Sequence, residues 1–143
     1  MLPTPVPPFS EIVETMELLP DADERLSYLI SLGRNLPRLA DHEKSEENFV
    51  HGCQSSVWIV CEPSPTGPVQ LRGESDAMIV NGLIAMTLSL YSGRTALEII
   101  GIDANAELGT LQLDHHISPG RRNGLAQMIG RIRQCATQVL TVA

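Results

Sequence analysis

A chain of 143 residues, 43% of them hydrophobic, is long enough to bury a core of its own without disulfide or metal staples. Its formal charge of −7 argues against a nucleic-acid ligand, and an aromatic content of 3% points to a core of Leu, Ile, Val, Met and Ala, which suits a helix-rich fold. Three cysteines are an odd number without the spacing of a disulfide framework, so a reducing compartment and a cytoplasmic location are predicted.

The opening MLPTPVPPFS lacks both a basic and an apolar targeting region. Residues 1–8 are expected to form a disordered tail, followed by a single domain over residues 9–143. Ser10 is a candidate N-cap for a short amphipathic helix carrying Ile12, Met16 and Leu19 and ending near Pro20. Asp21 and Glu24 have the spacing of a capping box. Leu26, Leu29 and Ile30 then supply the buried stripe of a second helix, with Gly33 as its C-terminal stop.

After a polar connection, the period changes at Asn48. VHGCQSSVWIVCE reads as extended chain with a break at Gly52–Ser55, PSPTG as a turn, and PVQLRGE as a returning strand. An antiparallel meander of three short strands is predicted. Val57, Ile59 and Cys61 share one face of its middle strand, and Trp58, Val60 and Glu62 the other. Trp58 is read as a sheet-packing residue.

Ser75 is expected to cap a long apolar helix over residues 76–91, closed by Gly93. Its apolar window is too short to cross a bilayer, which takes about 20 residues. TALEIIGI and NAELGTL are two short helices, and His115 and His116 are surface residues of a linker. Leu125, Met128, Ile129, Ile132, Ala136, Val139 and Leu140 form the stripe of a last helix. All 17 acidic residues lie at or before Asp114, whereas four arginines and no carboxylate follow, so this last element is basic on an acidic body. The class is α+β, a small antiparallel three-stranded sheet with helices packed on one side.

The reactive candidate is Cys53. It follows a glycine, sits among Gln54, Ser55 and Ser56, and precedes an apolar strand, so its thiol is presented at a movable tip on a rigid base. His51, two residues earlier, is on the same side of an extended chain and could tune it. Cys61 and Cys135 fall on buried faces and read as core filler. No C-x-x-C or paired ligand spacing is present, and no metal is expected.

VHGCQSSVWIV, RGESDAMIVNGLIAMTLSLYSGRTALEII and ISPGRRNGLAQMIGRIR occur in that order, behind RLSYLISLGRNLP. Over Phe9 to Val139 the chain resembles the SufE family of Fe–S metabolism-associated sulfur acceptors, including its CsdE-like branch. The resemblance implies a SufE/IscU-like fold and a role beside a pyridoxal-phosphate-dependent cysteine desulfurase of the SufS or CsdA kind. Such a partner hands persulfide sulfur to the acceptor, is stimulated by it, and the sulfur passes on to an Fe–S cluster scaffold. The family's acceptor cysteine maps onto Cys53, the arginine of its S-P-x-R motif onto Arg121, and the aspartate of its S-D motif onto Asp76. In the family the acceptor loop rests against apolar surface until the partner draws it out. Gly120 and Arg122 depart from the serines frequent at those positions. No cofactor, nucleic acid or membrane is implied, and the sequence leaves monomer and homodimer open. Two rival classes also stay open. One is a metal-binding cluster scaffold, which needs Cys61 and Cys135 near Cys53. The other is an interaction module whose cysteine is incidental.

Overall fold

The computed structural model describes residues 6–62, 66–111, 113 and 117–142. Much of the expected tail, the prolines of the expected turn and the His115–His116 pair lie outside the described residues. Helices α1 (Phe9–Leu18) and α2 (Ala22–Arg34) come first, then a single turn of 3-10 helix (Asp41–Glu43), strands β1 (Val57–Glu62) and β2 (Gln70–Ser75), and helices α3 (Met78–Tyr91), α4 (Ala96–Ile100), α5 (Ala104–Gly109) and α6 (Pro119–Val142). One hydrophobic cluster joins them, with Ile12, Leu29, Ile59, Ile84, Ile99 and Ile132 drawn from six different elements.

The helix ends follow local chemistry, with three corrections, one of them at Ser75, which does not cap α3 because that helix begins at Met78 with Ala77 as its N-cap residue. Asp21 accepts a hydrogen bond from the Glu24 amide at 2.8 Å and caps α2. Thr95 and Glu98 cap α4 reciprocally, and Asp103 caps α5. Gly93, at φ 80°, is the left-handed residue just past α3. Ser10, expected as an N-cap, lies inside α1, because the Glu11 and Ile12 amides both reach back to the Pro8 carbonyl. Gly33 is not a stop either, since α2 runs on to Arg34. A Cβ on Gly33 would stand 2.7 Å from the Asn81 carbonyl carbon, and one on Gly82 would stand 2.7 Å from that of Leu29. The two glycines are therefore where α2 and α3 touch backbone to backbone.

Ten of the fourteen residues of α3 are buried, as its apolar circumference requires. The buried Thr87 hydroxyl donates to the Leu83 carbonyl at 2.7 Å. In the sheet, Val57 and Ile59 of β1 and Leu71, Gly73 and Ser75 of β2 are buried on the face toward the helices. The outer face is strapped by the preceding loop. Glu74 accepts from the Leu39 amide at 2.8 Å and pairs with Lys44 at 2.7 Å. Arg72 contacts both Glu43 and Glu62. The Arg72 guanidinium holds the Glu43 carboxyl down to about 2.

The sheet has two strands rather than the expected three. β1 and β2 pair antiparallel from Val57↔Ser75 to Glu62↔Gln70, whereas Phe49 makes only an isolated bridge to Trp58. The reason is local. Asn48 and Phe49 donate their amides to Ser45 and Glu46 in a turn, and at Gly52 the backbone swings to φ 89°. The extended segment between these bends is too short for a ladder.

The absence of a disulfide is also corrected. The sulfurs of Cys61 on β1 and Cys135 on α6 are bonded, 74 residues apart in sequence. Cys135 is buried, as expected of core filler, and Cys61 partly so. Their partnership depends on α6 lying across β1, which neither local pattern reveals.

Candidate functional site

The site is assembled where the connection between Val50 and β1 meets the first two turns of α6. Both ends of this connection are tied. The Val50 amide donates to the Val57 carbonyl at 2.8 Å. Asp76 Oδ1 accepts from the Ser56 amide at 3.2 Å, and the Asp76 amide returns a 3.4 Å bond to the Ser56 carbonyl. Residues 51–55 thus form a small loop projecting from a closed base, with Cys53 at its middle.

α6 supplies the surface on which the loop rests. Ser118 accepts from the Arg121 amide at 3.2 Å and Pro119 opens the helix, an N-cap followed by the residue that needs no donor there. The Cys53 thiol points at the Gly124 carbonyl, 3.7 Å away, and a Cβ on Gly124 would stand 3.4 Å from Sγ. Glycine at this position lets the sulfur settle on the helix backbone. Gln54 lies over Gly120, where any Cβ would collide with its carboxamide. Arg121 Nη1 donates to Ser55 Oγ at 2.7 Å, and Asn123 Nδ2 donates to the Gly52 carbonyl at 3.0 Å.

This resting place suits a thiol and not a thiolate. Burial pushes the Cys53 pKa up. The S–H has a carbonyl oxygen to donate to, and the same oxygen would repel the ionised sulfur. Cys53 is the free cysteine of the chain, the other two being joined to each other. That bond lies well away from Cys53. Gly124 and Cys135 are eleven residues apart on one continuous helix, roughly 16 Å along its axis.

The profile of the Fe–S metabolism associated domain, SufE, matches residues 10–136, nearly the whole chain. The chain belongs to the SufE family. Association with Fe–S metabolism follows from that membership. The fold has a solved counterpart in the solution structure of a hypothetical protein from Thermus thermophilus, which shares 20% identity over 99% of each chain with a TM-score of 0.75.

In this SufE chain the residues singled out in the sequence do not all converge. Cys53 and Arg121 share the loop–helix contact, although Arg121 reaches the loop through Ser55. Asp76 ties the loop base and does not cap α3, whose first turn receives no side-chain cap from its N-cap residue. His51 turns toward Glu46, its Nε2 lying 2.8 Å from Oε1, with its ring edge-on to Phe49. Trp58 sits on the outer sheet face, edge-on to Phe49 and beneath Lys44. Gly120, Asn123, Gly124 and Gln127 were not assigned roles in advance. Three of them lie inside the same S-P-x-R-x-N-G-L block that flags Arg121. Among the described residues no three His, Cys, Asp or Glu side chains are grouped to hold a metal, and no helix is long and apolar enough to cross a membrane.

Proposed function

We propose that this chain is a sulfur carrier that takes sulfane sulfur on Cys53 from a pyridoxal-phosphate-dependent cysteine desulfurase, stimulates that enzyme, and delivers the sulfur to an Fe–S cluster scaffold. The observation that carries the reading is the lone free thiol, half-buried on a loop with a pinned base and a glycine-lined rest. Membership of the SufE family supports the same assignment.

The transfer is an exchange at sulfur with no net oxidation. The Cys53 thiolate attacks the terminal sulfur of the donor's cysteine persulfide. A new S–S bond forms on Cys53, the donor's S–S bond breaks, and the donor thiolate leaves. Delivery repeats the step with Cys53 as leaving group. A second thiol close by would discharge the persulfide as a disulfide, and the distance to the Cys61–Cys135 pair avoids this. Docked on Gly124, the thiol is kept protonated and away from oxidants. Released, it regains an ordinary pKa and becomes the better nucleophile. Arg121 and Asp76 serve the loop as anchors, and His51 is assigned to its outer approach.

A cytoplasmic setting stays part of the proposal, although the Cys61–Cys135 bond removes the absence of a disulfide as an argument for it. The scaffold alternative loses support, because two of its three required cysteines are joined to each other. The test is intact-mass spectrometry after mixing with a cysteine desulfurase and free cysteine. A gain of about one sulfur atom on Cys53, absent from Cys53→Ser, is expected. Full stimulation of the desulfurase by Cys53→Ser would refute the carrier role.

A further inference from the structure

The contact between the loop and α6 has an internal geometry that the sulfur-carrier reading does not use. At about 100° per residue, Gly120, Gly124 and Gln127 fall on one line along α6. That line lies under the loop. Gln54 covers Gly120, Cys53 covers Gly124, and a Cβ on Gly52 would stand 3.1 Å from Gln127 Cγ. Arg121 and Asn123 project from opposite sides of the same line. Arg121 bonds the outgoing arm of the loop at Ser55, and Asn123 bonds the incoming arm at Gly52. The loop therefore straddles the helix, with one polar side chain clasping each arm.

The two clasps differ in kind. Arg121 holds a hydroxyl on a side chain that can rotate away without moving the backbone. Asn123 holds a backbone carbonyl, that of the residue directly before Cys53, where the chain turns through φ 89°. Cys53 cannot swing outward with its backbone until this bond opens. The bond is also exposed to solvent, so water replaces it readily and its net strength is that of a single ordinary hydrogen bond.

We infer that Asn123 is a positioning residue whose hydrogen bond to the Gly52 carbonyl sets how much of the time the Cys53 loop is withdrawn onto α6. It touches neither the sulfur nor a donor. It acts on the thiol through the Gly52–Cys53 backbone. The inference rests on the reading of Cys53 as the sulfur acceptor for its biological meaning, while its geometry is independent of any partner. Only the released loop can meet a donor, so the released fraction scales the apparent affinity for the desulfurase.

The test measures the rate of Cys53 alkylation by iodoacetamide against pH on the full chain, read by peptide mass so that Cys53 alone is counted. Asn123→Ala is expected to react about fivefold faster at neutral pH, the factor corresponding to one net hydrogen bond. Its apparent thiol pKa should fall toward the ordinary value of about 8.5, which general loosening of a surface residue would not produce. Asn123→Asp keeps the shape but, ionised, offers no donor, and should react like the Ala variant. Asn123→Gln keeps a donor on a longer stem and should return part of the protection. Thermal midpoints of all three should fall by no more than about 3 °C, the shift that loss of one such bond produces in a chain of this size. Wild-type rates and an unchanged pH profile in both Asn123→Ala and Asn123→Asp would overturn the inference. The sulfur-transfer experiment separates the two failures. Fast alkylation of the variants with no sulfur gained by the wild type refutes the carrier reading and leaves the clasp standing. Sulfur gained by a wild type whose Asn123 variants alkylate normally does the reverse.

Discussion

Replacing Gly82 by alanine adds one methyl group where α2 and α3 touch backbone to backbone, and its effect can be worked from the packing. A Cβ there would overlap the Leu29 carbonyl oxygen and stand 2.7 Å from its carbon and 3.3 Å from the Ile30 nitrogen. All three are backbone atoms of α2, so no side chain can rotate out of the way. The helices must separate, loosening Leu29, Leu32 and Leu83, which are almost fully buried nearby. Overpacking of this kind costs about 1–3 kcal/mol. Alanine's better helix propensity returns less than about 1 kcal/mol. A net loss of about 2 kcal/mol is expected, or roughly 6 °C in thermal midpoint for a chain of this size. Gly130 is the matched control, an exposed position in α6 where an added Cβ meets nothing within 4 Å. Gly130→Ala should instead stabilise by several tenths of a kcal/mol. The assay is urea unfolding followed by circular dichroism at fixed pH. Gly33→Ala should resemble Gly82→Ala, and the double variant should cost less than their sum, because the same gap is opened only once. Equal shifts of one sign for Gly82→Ala and Gly130→Ala would refute the backbone-contact argument.

Further outcomes concern the cysteines and charges. Alkylation in denaturant should modify Cys53 alone before reduction, and Cys61 and Cys135 as well afterward; reduction should lower stability by about 4 kcal/mol, as loop closure over 74 residues implies. The native Cys53 pKa lies above its unfolded value, so the stability advantage of its protonated form is complete below about pH 8.5 and is lost as pH rises through the native pKa. Wild type should therefore lose stability relative to Cys53→Ser as pH climbs beyond that point, and a flat difference between the two would contradict the buried-thiol geometry. Glu43 has the opposite sign. Its contact with Arg72 should persist through pH 4 and fail only as pH falls through about 2, followed by carboxyl chemical shifts. Asp76→Ala should unfasten the loop base at Ser56 and raise Cys53 alkylation several-fold with little change in unfolding midpoint.

What the sequence disclosed depended on how far apart the interacting residues stand. The Asp21 cap and the Gly93 stop are written within a few residues, and both appear where local chemistry put them. The loop at Cys53 was legible for the same reason, since Gly52, Cys53 and the polar residues after them interrupt an apolar run. Gly33 was misread because a glycine serving a turn and a glycine serving a close crossing look alike until its neighbour, 49 residues on, is known. The third strand failed because alternation cannot register a turn that consumes the amides of Asn48 and Phe49. Cys61 and Cys135 were each placed on an inward-facing surface, but only the crossing of α6 over β1 makes them partners. Asn123 sat within a recognised block, yet its clasp spans 71 residues and no periodicity points across that gap.

The cover over Cys53 comes from chain that leaves the ribosome 71 residues after the thiol itself. While those 71 residues are being added the sulfhydryl has no helix to lie against and is open to whatever electrophile or oxidant the surroundings hold. Any message cut short before the codon for Gln127 yields a product with a permanently unguarded sulfur. Protection thus waits on the late synthesis of α6, and the order of segments along the polypeptide enforces it.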